Sequence, residues 1–179
     1  MSVNPYPPRL VSFSPSVVAG TLAGDATPAV EAAGGAYSDD DVVSNSDTAA
    51  AGVAWVFADM ATVAGSGGEI IGASLTTSAP LVTATFRLWL FDAIPDSSEL
   101  DDNAAFSLAI ADQDKLVNVV DFAACAPLGA VAGSITAALS KPYVCAAADT
   151  DLYGILQITD AETNAVGSMV VVIKLMVRR

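Results

Sequence analysis

The stretch Thr83–Phe122 decides the fold class: TATFRLWLFDAIPDSSELDDNAAFSLAIADQDKLVNVVDF. Its opening run, Thr83–Phe91, alternates between two faces, and Phe86, Leu88 and Leu90 share one of them. Alternation with a period of two in a run of Thr, Phe and Trp is typical of a β-strand. An acidic loop containing Pro and Ser follows, then a short turn or helix, and the stretch closes in a second strand-like run. This region therefore predicts strand, loop and strand in succession.

The remainder of the chain repeats this arrangement of short apolar runs and turns rich in Gly, Pro and Asp. Only two brief segments, Ala104–Leu108 and Ala111–Leu116, are helical candidates. Many short strands with few helices predict an all-β protein, with a single β-sandwich or jelly-roll-like domain over residues 31–179. The other predicted strands are Val53–Ala58, Glu69–Thr77, Leu116–Phe122, Ile135–Leu139, Tyr143–Ala147, Leu152–Thr159 and Met169–Val177.

Residues 1–30 are predicted to form an extended, proline-rich arm. The prolines up to Pro15 disfavour a compact apolar helix, so an arm is favoured over a cleavable signal peptide. Within this region, Ser16–Gly24 is apolar enough to pair as an edge strand. An arm of this kind packs on a neighbouring subunit, or it is a frayed terminus.

The run Met169–Val177 is apolar on both faces of the predicted strand, with Lys174 as its one charged residue. Such a strand belongs inside a sandwich or against another subunit, because an exposed edge of this composition invites aggregation. The arm and this strand together predict a homo-oligomer, in which a neighbouring copy covers both.

The charge of the chain excludes one class of partner. Its 179 residues include 20 acidic and 7 basic side chains, which gives a formal net charge of −13. Nucleic-acid binding needs Lys and Arg for phosphate contacts, so we expect no nucleic-acid partner. The mean hydropathy of +0.54 fits either a membrane protein or a soluble protein whose partners cover part of its surface.

The membrane alternative depends on Phe122–Ser140, an uncharged run just long enough to span a bilayer. Ala, Gly and Ser dominate this run, Pro127 interrupts it, and no cluster of Lys and Arg flanks it to set an orientation. A loop joining two strands is the better prediction, and we expect no membrane partner.

Enzymatic chemistry is restricted because the chain has no histidine, the commonest general base and a frequent zinc and iron ligand. The acidic loop offers carboxylates instead, as a glycosidase pair or as ligands for Ca²⁺. Its spacing lacks the EF-hand ligand pattern, so a solvated acidic loop is favoured, and the same holds for Asp39–Asp41. We predict a non-enzymatic protein with no catalytic, cofactor-binding or metal-binding residues. The loop carboxylates are Asp92, Asp96, Glu99, Asp101 and Asp102.

Two further motifs have competing interpretations. Gly65–Gly68 is predicted as a tight turn into a strand, because it lacks the Lys of a phosphate-binding loop and Glu69 would repel a phosphate. Cys125 and Cys145 form either one disulfide or two buried free thiols, and the free thiols are favoured.

The order of several short motifs resembles a family of small β-rich virion proteins encoded by tailed bacteriophages. The resemblance extends over about Ala36–Val177 and is strongest over Thr83–Phe122. The chain departs from the family pattern at Ser38–Asp41, where the turn has no Gly. The motifs that carry the resemblance are Tyr37–Val43, Gly65–Gly68, Leu88–Phe91, Pro95, Asp102–Phe106, Asp112 or Asp114, and Leu152–Leu156.

The resemblance implies a capsid decoration (cement) or head-fibre protein that binds the outside of the capsid lattice and stabilises it. It implies the major capsid protein as partner, a homotrimer at the three-fold points of the lattice, and no catalytic residues. An acidic exterior suits this role because it keeps the particle soluble, while an apolar face can be buried in an oligomer interface.

A carbohydrate- or receptor-binding sandwich on a tail or cell surface is the alternative function. Its candidate site is Trp89, which shares a strand face with Arg87 and Phe91, together with the loop 92–102. A glycan platform needs exposed aromatic rings, and core packing of one or both of these rings is the favoured interpretation.

Overall fold

The computed structural model of the chain describes residues 16–22, 29–31, 36–46, 50–79, 82–162 and 168–179. The predicted all-β class is confirmed, because two antiparallel sheets form a β-sandwich and the one helix in the described ranges is a short 3₁₀ helix, Ile110–Lys115. The strands are β1 (Ser16–Ala19), β2 (Thr21–Leu22), β3 (Ala29–Glu31), β4 (Val42–Val43), β5 (Trp55–Phe57), β6 (Gly67–Thr77), β7 (Phe86–Phe91), β8 (Leu116–Phe122), β9 (Ala126–Pro127), β10 (Ala132–Val144), β11 (Leu152–Ile158) and β12 (Ser168–Arg178).

Each sheet contains six strands. The first sheet has the order β1-β12-β6-β10-β9, and β3 also pairs with β12. The second sheet has the order β2-β5-β11-β7-β8, and β4 also pairs with β11. The apolar strand predicted at Met169–Val177 is therefore the internal strand β12, paired with β1 and with β6.

The core lies between the two sheets. In β7, Phe86, Leu88 and Leu90 are buried in it, as their alternation predicts. Ile173 and Leu175 of β12 belong to the same buried cluster and have no exposed surface. Burial of apolar side chains at about 25 cal/mol per Å² is the main force that holds two such sheets together.

The chain crosses from the first sheet to the second between β1 and β2. Gly20 lies at this crossing, and its N–H donates to the carbonyl oxygen of Ile173 at 2.9 Å. A Cβ on Gly20 would lie 2.7 Å from the ring of Phe57, so only glycine fits here without displacing the ring. Strands β1 and β2 are the edge strands that Ser16–Gly24 suggested. Residues 1–15 of the predicted arm lie outside the described residues.

Strand β10 differs from the prediction, which placed two strands at Ile135–Leu139 and Tyr143–Ala147. The structure has one continuous strand, and its register with β6 shifts between Ala137 and Lys141. Ala138 takes a positive φ of 56° within this irregular section. A bulge of this kind breaks the period of two without ending the strand, which is why the pattern suggested a gap.

Two other local predictions were wrong. Ala104–Leu108 is not helical; it runs as an extended segment in which Ala105 forms a bridge with Asp41. Phe122–Ser140 is not simply a loop, because it contains β9 and much of β10. No helix in the described parts of the chain is both long and apolar enough to cross a bilayer.

The turn predicted at Gly65–Gly68 is present only at Gly65 and Ser66, because Gly67 and Gly68 are the first residues of β6. Gly65 has a φ of 73°. A Cβ on Gly67 would lie 1.9 Å from the carbonyl oxygen of Tyr143, and one on Gly68 would lie 2.4 Å from that of Arg178. The glycines therefore allow β6 to enter between β10 and β12.

Candidate functional site

Two carboxylates of the acidic loop, those of Asp101 and Asp102, accept hydrogen bonds from distant parts of the chain. The backbone N–H groups of Ala50, Ala51 and Gly52 donate to Asp101 at 2.7, 3.1 and 2.9 Å. The hydrogen bonds from Gly52 and Ala50 hold the pKa of Asp101 below its ordinary value. Asp102 is buried, and its carboxylate accepts bonds from the Tyr37 hydroxyl at 2.9 Å and the Ser44 N–H at 2.8 Å. The expectation of a solvated carboxylate was wrong for Asp102, which is buried.

A second carboxylate cluster is centred on Asp112, which has no exposed surface. Its oxygens accept bonds from Lys115 Nζ at 2.7 Å, Ser98 Oγ at 2.7 Å and Ser97 N at 3.0 Å. Burial opposes ionisation of Asp112, but these three donors outweigh it and lower the pKa of the carboxyl. Lys115 also reaches Asp96 at 3.0 Å, so the cluster ties the loop 92–102 to the 3₁₀ helix.

The acidic run Asp39–Asp41 forms a turn. Asp40 has a φ of 69° and so occupies the left-handed conformation for which glycine is usual, so this turn forms without a Gly. The carboxylate of Asp40 accepts a bond from Gln157 Nε2 at 2.8 Å, and that of Asp41 accepts one from Ser38 N at 2.6 Å. Within the described residues, no three acidic or cysteine side chains are grouped as a metal site requires.

Trp89 does not form an open aromatic platform. Its ring stacks on Phe106 with the ring centroids 4.9 Å apart, and the guanidinium of Arg87 lies 5.7 Å from the ring centroid. Its indole N–H donates to Gln157 Oε1 at 2.8 Å, and Phe91 is fully buried. Core packing is therefore confirmed for Phe91, whereas Trp89 is half-buried, with its ring stacked on Phe106 and its N–H bonded to Gln157.

Both cysteines are free and buried, as predicted. Burial raises the pKa of Cys125 and of Cys145 to about 11, and nearby carboxylates act in the same direction. Neither thiol therefore has the depressed pKa of a nucleophile or redox sensor.

The outer face of the second sheet is covered by the chain itself. The segment 92–115 and the turn before β4 lie across it, and together they form a second small apolar cluster with buried Val42, Phe91 and Ile155 at its centre. The covering segment is strongly acidic, because it contains seven acidic residues and one basic residue, Lys115. The second sheet therefore presents an acidic covering layer to its surroundings instead of an apolar sheet face.

The outer face of the first sheet has no such cover among the described residues. One row of this face runs Val17–Met176–Gly72–Ala137 across β1, β12, β6 and β10. The next row contains Ile135, paired through Ser74 with Lys174. Val17 is 62% exposed, Met176 43% and Ile135 78%, although all lie on regular strands.

A shallow groove of about 430 Å³ runs along this face. Gly72 is on its floor, and a Cβ there would have room, with its nearest neighbour 3.4 Å away. The strands of the first sheet contain two acidic and three basic residues, so this side of the molecule lacks the general excess of negative charge. We refer to the outer surface of β1, β12, β6 and β10 as the apolar face.

The sequence identified β12 as a strand that needs cover but did not identify the apolar face. Val17 and Ile135 were assigned to an arm and to a short strand, and only the register between four distant strands brings them together. The available signal was that β12 is apolar on both faces from Met169 to Val177 except at Lys174, where a half-exposed antiparallel strand normally alternates with polar residues.

Comparison of the sequence with models of known protein families found no match, and comparison with curated proteins found none either.

Proposed function

We propose that this chain is a non-enzymatic structural protein of a tailed-bacteriophage virion, which binds the outside of the capsid lattice and stabilises it. The observation that carries the proposal is the apolar face, because a regular sheet with exposed Val17, Ile135 and Met176 is a surface for assembly between protein subunits, as a structural role requires. The motif order from Tyr37 to Leu156 supports the bacteriophage origin and the major capsid protein as partner.

The use of the polar residues also supports a structural role. The carboxylates of Asp101, Asp102 and Asp112 are committed to hydrogen bonds within the fold. The described part of the chain therefore uses these three carboxylates in structural bonds and leaves a broad apolar surface. This distribution suits a protein that binds and stabilises other proteins rather than one that transforms a substrate.

The proposal is tested with particles of the phage that encodes this chain. We expect electron cryomicroscopy to show a two-sheet sandwich on the outer shell, and particles that lack the protein to lose their DNA at a lower temperature. Purified protein added back should co-sediment with the deficient particles and restore their heat resistance. Density on the tail alone, or deficient particles as stable as the wild type, would contradict the proposal.

A further inference from the structure

We propose that the apolar face is the contact between copies of this chain, so that each sandwich turns its first sheet towards a second copy and its acidic covering segment outwards. This inference rests on the proposed structural function and names the subunit that the apolar face contacts, and it can fail or succeed independently of capsid binding. The partner that covers the apolar face is a second copy of this chain.

Charge is the first argument for a second copy. Two molecules that each carry a formal charge of −13 repel each other at most orientations. The segment 92–115 concentrates seven acids on the side of the second sheet, whereas Glu69 on the apolar face is neutralised by Arg178 at 2.9 Å. Contact through the apolar face therefore keeps the acidic covering segments of two copies far apart.

The area of the apolar face also suits contact with a second copy. Four strands spaced about 4.8 Å apart, with about 3.3 Å per residue along β6 and β12, give a face of roughly 600 Å². A standard stable interface buries roughly 800 Å² on each partner, so this face and its rim approach that size. The rim extends the apolar surface through Leu128, which is 59% exposed, and Val144, which is also 59% exposed.

Shape is the third argument. The centre of the face is low, because Gly72 and Ala137 lie side by side in the register while Val17 and Ile135 rise at its two sides. Raised apolar side chains beside a shallow groove can interdigitate with the same pattern on another copy, as the inner faces of packed sheets do. Lys174 can extend its charged end into solvent while its aliphatic stem lies on the face.

The test measures the molar mass of the full-length chain in solution by size-exclusion chromatography with light scattering. We expect an oligomer whose association strengthens with added salt, because salt screens the repulsion between acidic copies. Ile135→Glu should weaken association by about tenfold or more, since it places a charge in the contact. Ile110→Glu is the matched control, because Ile110 is 85% exposed but lies on the covering side, and it should associate like the wild type.

A labelling experiment gives a second measurement that does not depend on disrupting the assembly. In Ile135→Cys the new thiol should be protected from a maleimide at high protein concentration and should react on dilution, whereas that of Ile110→Cys should react at both. The buried native cysteines give little background while the chain is folded.

A wild-type chain that stays monomeric at high micromolar concentration and high salt would overturn the inference, as would an oligomer unaffected by Ile135→Glu. Unchanged melting of Ile135→Glu at low concentration establishes that the variant folds. A monomer that still binds capsids would refute the inference and leave the proposed function standing. An oligomer that ignores capsids would do the reverse.

Discussion

Asp112 carries the connection between the acidic loop and the second sheet. Replacing it with Ala removes the partner of Lys115 Nζ and leaves the donors Ser98 Oγ and Ser97 N without an acceptor. Removing one member of a buried ion pair costs about 3–5 kcal/mol, and we expect about 2–3 kcal/mol here because Lys115 is partly exposed and keeps Asp96. Urea unfolding of Asp112→Ala measures this loss, and exposed Asp114→Ala should change stability by less than about 0.5 kcal/mol. Equal effects of the two substitutions would contradict the role assigned to Asp112.

Asp101 makes the stability of the fold depend on acid pH. Its pKa is lower in the folded chain than the ordinary value of 3.8, chiefly because Gly52 and Ala50 donate backbone hydrogen bonds to the carboxylate. A lowered pKa contributes stability above the unfolded-state value, and this contribution is lost as the pH falls from about 4 through the folded-state pKa. The melting temperature of wild type should therefore fall more steeply below pH 4 than that of Asp101→Asn. Parallel curves for the two proteins would show that these bonds do not depend on the charge.

Single residues also show the limit of what the sequence predicts. The absence of histidine and the spacing of the carboxylates led away from a recognised metal motif. The partners of those carboxylates were not predictable, because Asp101 bonds with backbone N–H groups about 50 residues earlier in the chain. Backbone donors have no sequence signature, so an acidic residue that accepts three of them is indistinguishable in sequence from a solvated one.

Strand β10 contains one residue, Ala138, whose backbone conformation is strained. Ala138 has a φ of 56°, which costs a residue with a Cβ about 1 kcal/mol relative to glycine. We expect Ala138→Gly to stabilise the chain by roughly 0.5 kcal/mol, because the greater flexibility of glycine in the unfolded chain offsets part of the gain. The neighbouring substitution Ala137→Gly, at an ordinary strand position, should destabilise by roughly 0.5–1 kcal/mol. Chemical denaturation of both variants measures the difference, and the same sign for both would refute the bulge argument.

Whole strands were predicted well where packing enforces a strict alternation. The predicted strand Leu116–Phe122 matches β8 at both ends. Strand β7, Phe86–Phe91, covers the last six residues of the predicted strand Thr83–Phe91. Strands were mispredicted where a tertiary contact overrides the local pattern, as at the bulge of β10 and at the two-residue strand β9. The extended path of Ala104–Leu108 likewise depends on the packing of Phe106 and Leu108 against the second sheet, which the local pattern does not show.

At the scale of the whole molecule, the free thiols report on global unfolding. Cys125 is 4% exposed and Cys145 is 2% exposed, and the pKa of each is raised to about 11. At pH 8 both thiols are therefore protonated and enclosed, so a thiol reagent should react with them only as fast as the fold opens. Labelling should become fast in denaturant, and melting should be unchanged by a reductant. Rapid labelling of the native chain at either cysteine would show that its part of the core opens locally.

The class of the whole fold was predictable from the sequence, and its surface was not. Period-two runs and frequent turns establish an all-β sandwich, since both patterns result from local geometry. The apolar face depends on the order β1-β12-β6-β10, in which neighbouring strands are distant in the chain, and nothing local records that order. Only the surplus of apolar residues in β12 indicated that part of the molecule would need cover.

The register of β1 with β12 has a mechanical consequence. Ser16 lies opposite Val177, so the start of the first strand and the end of the last strand leave the sandwich side by side. A force that pulls these two points apart breaks the hydrogen bonds between β1 and β12 one after another. Each bond is loaded singly, so the two strands separate at low force. A push spread over the sheet loads every strand together and meets far greater resistance. A shell under outward pressure should therefore be reinforced more effectively by contacts through the broad surface of this molecule than by tethers at its ends.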